Sequence, residues 1–156
     1  MGMHDMDIHD PAAIQDEIIS SFGLFSEWLD RYQYLIDLGR KLPPLTEEEK
    51  TDDKLLAGCQ SRVWLHLEGN ADQVIIRANS DAAIVSGLIA LLAQVYSGCS
   101  AQQIIDTEPY FIREIGLAAH LTPTRANGLH AMLNAIRGHA LKLQQKPHHK
   151  DHTQAI

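Results

Sequence analysis

The sequence predicts an α+β domain, on three observations. Between Val63 and Ala78, two alternating apolar runs flank the turn-forming stretch Gly69-Asn70-Ala71-Asp72, the pattern of a single β-hairpin. On either side of it, apolar residues recur at helical spacing in five or six segments. One of these, about Asp81 to Tyr96, is apolar nearly all round, which places it at the buried centre of the fold. A hairpin with one face covered by helices is the arrangement these signals define.

Taken in order, a first segment of residues 1–10 is polar and expected to be flexible, and the folded domain spans 11–145. The first helix starts at Pro11 behind the capping residue Asp10, carries Ile14, Ile18, Ile19 and Phe22, and closes at Gly23. A second runs from Ser26 through Trp28, Leu29, Tyr32, Leu35, Ile36 and Leu38, with Gly39 and the Pro43-Pro44 pair as its stop, and is expected to form a hairpin with the first. The long connection from Lys41 to Gly58 has room for one turn with Thr46 and Glu49 as a capping box. Val63, Leu65 and Leu67 then alternate with Trp64, His66 and Glu68, and the second strand follows from Val74. Ser80-Asp81 caps the central helix, which ends at Gly98. Ser100 and Gln103 make a capping box for a short helix, and another short piece runs from Pro109 to Gly116. Thr122 and Pro123 open the last helix, with Leu129, Met132, Leu133, Ile136 and Ala140 on one stripe. From Lys146 the His-rich tail, 146–156, has nothing to bury and is expected to be disordered.

Composition excludes several classes. The 156 residues hold 20 acidic and 13 basic side chains, a formal charge of -7 that opposes a phosphate backbone, so nucleic acid is not an expected partner. No apolar run approaches the roughly 20 residues of a membrane helix. Ser86, Gly87 and Gln94 interrupt the longest, Ala82 to Tyr96. Two cysteines are too few for a disulfide scaffold, and the acidic start lacks the basic-then-apolar order of a signal peptide, so the expected compartment is the cytoplasm.

The chemistry centres on Gly58-Cys59-Gln60-Ser61-Arg62-Val63-Trp64, where a thiol stands beside a glycine just before a strand. Cysteine reacts as the thiolate, and a loop-to-strand junction presents it. A packed, inert thiol is the alternative that the segment itself leaves open. Metal is not expected: His66, His120, His130 and His139 have no ligand spacing, and a zinc site would need Cys59 and Cys99 to converge with two of them. A Cys–His enzyme remains the catalytic alternative, although no local pattern picks out its base.

Three runs carry a resemblance. Gly58 to Trp64, then Ser80-Asp81-Ala82-Ala83-Ile84-Val85-Ser86-Gly87-Leu88-Ile89-Ala90, then His120-Leu121-Thr122-Pro123-Thr124-Arg125-Ala126-Asn127-Gly128-Leu129, resemble in order the SufE family of cysteine-desulfuration proteins. The likeness spans about Leu24 to Leu141. It implies a small antiparallel sheet packed on helices, similar to the IscU-like scaffold proteins, with a third short strand compatible with the loop regions. It also implies a sulfur acceptor that docks on a pyridoxal-phosphate (PLP) cysteine desulfurase, stimulates it, takes its persulfide sulfur on Cys59 and passes it to an iron–sulfur scaffold complex. Such a carrier holds no cofactor beyond the transient persulfide, because PLP belongs to the partner, and it is expected to be a monomer or weak dimer rather than an independent turnover enzyme. Asp81 and Arg125 match polar positions of the second and third motifs. Asp81 also has a plain role as a helix cap, whereas Arg125 lies in a first helical turn, where a cation opposes the dipole. Gly58, Gln60, Ser61 and Arg62 are the expected supporting or docking residues around Cys59.

Overall fold

The computed structural model describes residues 9–56 and 61–155, with residues 146–155 described by backbone alone. In chain order the elements are α1 (Pro11–Gly23), α2 (Trp28–Arg40), a 3-10 turn (Asp52–Lys54), β1 (Val63–Asn70), β2 (Gln73–Ser80), α3 (Ala83–Tyr96), α4 (Ala101–Asp106), α5 (Tyr110–Ile115), α6 (Leu117–His120) and α7 (Pro123–Ala155). This is the expected α+β architecture. None of the helices among the described residues is long and apolar enough to cross a membrane.

The two strands pair antiparallel from Val63↔Ser80 to Asn70↔Gln73, around a two-residue turn at Ala71 and Asp72. The Asn70 side-chain oxygen accepts from the backbone N–H groups of Asp72 and Gln73, which is why Asn suits that corner. Val63, Val74, Ile76 and Ala78 point into the core. Against them lies α3, whose Leu88, Ile89, Leu91, Leu92, Val95 and Tyr96 are all buried, the central position its composition predicts. α7 adds Leu129, Met132, Leu133, Ile136 and Ala140 on one stripe. Gln15 of α1, a polar side chain wholly buried in the core, has both ends satisfied: it donates to Glu108 O at 3.0 Å and accepts from Phe111 N–H at 3.1 Å.

Several boundaries differ from the sequence reading. The capping box at Ser100 and Gln103 is present in both directions, but α2 runs past Gly39 to Arg40. Gly39 does not stop a helix; it lets α2 lie on α3. A Cβ on Gly39 would come within 2.7 Å of Gly87 N, and one on Gly87 within 2.3 Å of Leu35 O. The same close crossing explains why α1 and α2 do not form a simple hairpin. α2 packs along α3 and meets α1 near the connecting loop, where Phe22 and Tyr34 stack edge to face at 5.2 Å. Of the start expected to be flexible, residues 1–8 lie outside the described residues; Asp10 caps α1 through Ala12 and Ala13, and His9 is tied to Val95 O and to the Gln103 amide. Gly116, in a left-handed conformation with φ of 86°, separates α5 from a short helix, α6, that the sequence reading leaves as connection. Finally, α7 does not end at Lys146, where disorder is expected, but continues to Ala155.

Candidate functional site

Cys59, with its neighbours Gly58 and Gln60, lies outside the described residues. What the structure defines is the frame on both sides of them. Leu56 N–H donates to Val63 O at 2.8 Å, and Leu55 forms a single antiparallel bridge with Trp64. That bridge lies where a third short strand was compatible with the sequence, though it is one pair rather than a strand. The chain therefore leaves and rejoins the frame beside the start of β1.

Asp81 is placed there too, and not as the cap of α3. The helix begins at Ala83, with Ala82 at the cap position and no side chain capping it. The Asp81 carboxylate instead accepts from Arg62 N–H at 3.1 Å, while Asp81 N–H donates to Arg62 O at 3.3 Å. This reciprocal clasp prolongs the strand pairing by one step and fixes the backbone just after Ser61, where the loop rejoins the frame. Of the two readings the sequence left for Asp81, capping is not the one found: its carboxylate is engaged by the Arg62 backbone instead. The Arg62 side chain is exposed.

The three motifs converge on one pocket of about 120 Å³. Ser61 and Val63 come from the first motif, Val85 and Leu88 from α3, and Thr122, Thr124, Arg125, Gly128, Leu129 and Met132 from the last motif and the helix it opens. Its floor is apolar: Val63, Leu88, Met132 and Leu129 are each at most 3% exposed. Its rim is polar, and the first turn of α7 forms part of it. Thr122 caps that turn, accepting Arg125 N–H on Oγ1 at 3.3 Å and Ala126 N–H on its carbonyl at 2.9 Å. A helix start carries partial positive charge, and the exposed Arg125 adds a full one, so the rim favours an anion. A cavity of this size holds a single small side chain; one of about 150 Å³ accepts benzene. No His, Asp or Glu is among the described residues that line it.

Residues 16–140 match the family described as SufE, Fe-S metabolism associated domain. The chain belongs to that family. Its role is therefore in Fe–S metabolism, and the matched span contains all three motifs and the pocket they form. The fold is also that of the solution structure of a hypothetical protein from Thermus thermophilus. That likeness covers 85% of this chain and 97% of the other, at a TM-score of 0.70 and 23% identity. At that identity it bears on the fold alone.

Three features of this SufE-family site escape sequence reading. The first is a strap. Residues 43–56 lie over the outer face of the hairpin, with Leu45 N–H on the Asn79 side chain, Lys50 5.4 Å from the centre of the Trp64 ring, and Glu49 paired with Arg77, which also lies 3.6 Å from Glu68. The predicted Thr46–Glu49 capping box is present, with bonds of 2.9 and 3.2 Å, and it aims Glu49 at Arg77. Thr46 N–H and the Arg77 guanidinium hold the Glu49 carboxyl down at about 2. Since that lies below its ordinary 4.5, the latch stabilises the fold above pH 4.5 and is lost as pH falls towards 2. Glu49→Gln keeps an oxygen for Thr46 but removes the charge. Its melting temperature should fall below wild type above pH 4.5, and the gap should close as pH drops towards 2; a gap independent of pH would show that the ion pair is not what holds the strap.

The second is His120, which sequence reading leaves among scattered histidines. It stacks on Trp28 with ring centroids 3.8 Å apart, Arg31 covers the same indole at 5.0 Å, and Tyr32 OH donates to the His120 carbonyl. His120 thus anchors the turn leading into α7. The third is Cys99, which is wholly buried and directs its Sγ to Val95 O at 3.4 Å. It sits beside Val74, near the turn of the hairpin, the end opposite Ser61. Burial, and to a lesser degree the charge of Asp10, pushes its thiol up to about 12. Both its burial and its raised thiol disfavour a thiolate at this position.

Proposed function

We propose that this SufE-family domain is a sulfur carrier: Cys59 accepts persulfide sulfur from a PLP-dependent cysteine desulfurase, the docking stimulates that enzyme, and the sulfur then passes to an iron–sulfur scaffold complex. The observation that carries this reading is the convergence of the three motifs on the small pocket beside Ser61. Cys59 stands two residues before Ser61, and two residues of chain span at most about 7 Å, so the pocket is within reach of its side chain.

The chemistry asks for little more. The Cys59 thiolate attacks the terminal sulfur of the enzyme's persulfide; a new S–S bond forms, the old one breaks, and the enzyme cysteine leaves as its thiolate. Oxidation level is conserved overall, so the step itself needs no external oxidant or reductant. A polar rim with a helix start and Arg125 favours the thiolate before transfer and the persulfide anion after it. An apolar floor keeps the persulfide from water and oxidants. A Cys–His hydrolase, by contrast, needs a base at the thiol, and none of the described lining residues supplies one.

The test is direct. After incubation with a PLP cysteine desulfurase and cysteine, intact-mass measurement should find one sulfur atom added to the protein, and desulfurase turnover should rise in its presence. A protein that gains no sulfur from any desulfurase of its own cell would overturn the reading.

A further inference from the structure

We propose that a second site, on a different face of α7, binds a small organic anion with an apolar or aromatic body and a phosphate or carboxylate head. His130, Asn134 and Arg137 recur at helical spacing on a side of α7 turned away from the first pocket, and Leu133, at the edge of the buried stripe, lies beside them. Facing them across a groove of about 570 Å³ are Arg113 of α5 and the helix that follows it. That volume falls among those of small-molecule sites, about 300–1,000 Å³.

The charge is what distinguishes this groove. In a chain of net charge -7, two guanidiniums meet there against one lining carboxylate, Glu108. Among the described residues neither Arg113 nor Arg137 lies within 4.0 Å of a carboxylate. Arg137 is held in place by one bond, to Ile105 O at 3.2 Å, which leaves its other N–H groups to a ligand. Guanidinium forks match the geometry of phosphate and carboxylate oxygens, and His130 and Asn134 add further hydrogen-bonding groups. Ile112 and Leu133 supply the apolar surface on which the body of the ligand rests. Glu108 works against an anion, which gives the proposal a sign that can be checked.

Phenyl phosphate, benzoate and inorganic phosphate serve as probes, titrated into the full-length protein and followed by backbone amide NMR shifts. Phenyl phosphate should move the amides of Ala118, His130 and Asn134 saturably, and more tightly than inorganic phosphate, which lacks the body. Benzoate separates a carboxylate head from a phosphate. Arg113→Gln, at an exposed position, should weaken binding about tenfold, as should Arg137→Gln, while Glu108→Gln should strengthen it severalfold. Shifts that do not saturate, or equal affinity in wild type, Arg113→Gln and Glu108→Gln, would overturn the site. Equal affinity for phenyl phosphate and inorganic phosphate would overturn the apolar half of the assignment. Binding is read on the protein alone, so neither result depends on whether Cys59 accepts sulfur.

Discussion

Cys59→Ser should accept no sulfur above background, whereas Cys99→Ala should accept as much as wild type. The contrast rests on the environment of Cys99. With its thiol raised to about 12, the thiolate fraction at pH 7 is about 10⁻⁵, and the sulfur is wholly buried besides. Both factors act in the same direction, because transfer requires a thiolate and a path for the incoming persulfide sulfur. Cys99 instead behaves as a small apolar side chain packed near α3, and alanine there removes that packing and the weak thiol bond to Val95 O. Alkylation gives an independent readout. Native wild type should take up one alkyl group from iodoacetamide, Cys59→Ser none until it is unfolded, and Cys99→Ala one. Sulfur found on Cys99, or rapid alkylation of Cys59→Ser under native conditions, would place the acceptor elsewhere and remove the basis of the proposed function.

How much was legible in the sequence follows from the range of the interactions concerned. The hairpin, the capping box at Ser100 and Gln103, the start of α7 at Pro123 and the all-apolar α3 are written in contacts between near neighbours, and each is where the pattern puts it. Errors begin where a residue's partner is distant in sequence. Asp81 has the composition of a helix cap, but its carboxylate is taken by Arg62 N–H, 19 residues away. Gly39 reads as a stop because glycine often ends helices, and only its neighbour on α3 reveals that it is there for close approach. The strap is the same case: a loop of mixed charge carries no periodicity, and its order comes from Arg77 and Asn79 on the far strand. For the site, the three motifs identify the contributing segments, but not that they enclose a pocket or that Thr122 and Met132 belong to it. A glycine recurring inside two apolar helical patterns is the one signal that could have paired α2 with α3 in advance.

That pairing also governs the site, since α3 carries Val85 and Leu88 into the pocket while its other side lies against α2. Gly87→Ala should therefore be among the most damaging single-methyl changes in the chain. Its Cβ would lie 2.3 Å from Leu35 O, 2.7 Å from Leu35 C and 2.9 Å from Leu35 Cβ. These atoms belong to the backbone and to the base of a wholly buried side chain, so no flexible tip can move aside. The helices must separate, and overpacking of this kind costs about 1–3 kcal/mol, against which the better helix propensity of alanine returns about 1 kcal/mol in the opposite direction. With backbone in contact the upper end applies, for a net loss of about 2 kcal/mol, or about 4–8 °C in melting temperature. Gly138→Ala is the internal control. It also lies within a helix, α7, but its Cβ would meet nothing within 4 Å, so the same substitution should raise stability by about 0.5–1 kcal/mol. Opposite signs for one chemical change at two helical glycines would show that the α2–α3 crossing, and not helix propensity, sets the outcome; equal melting temperatures for Gly87→Ala and wild type would refute the close crossing itself.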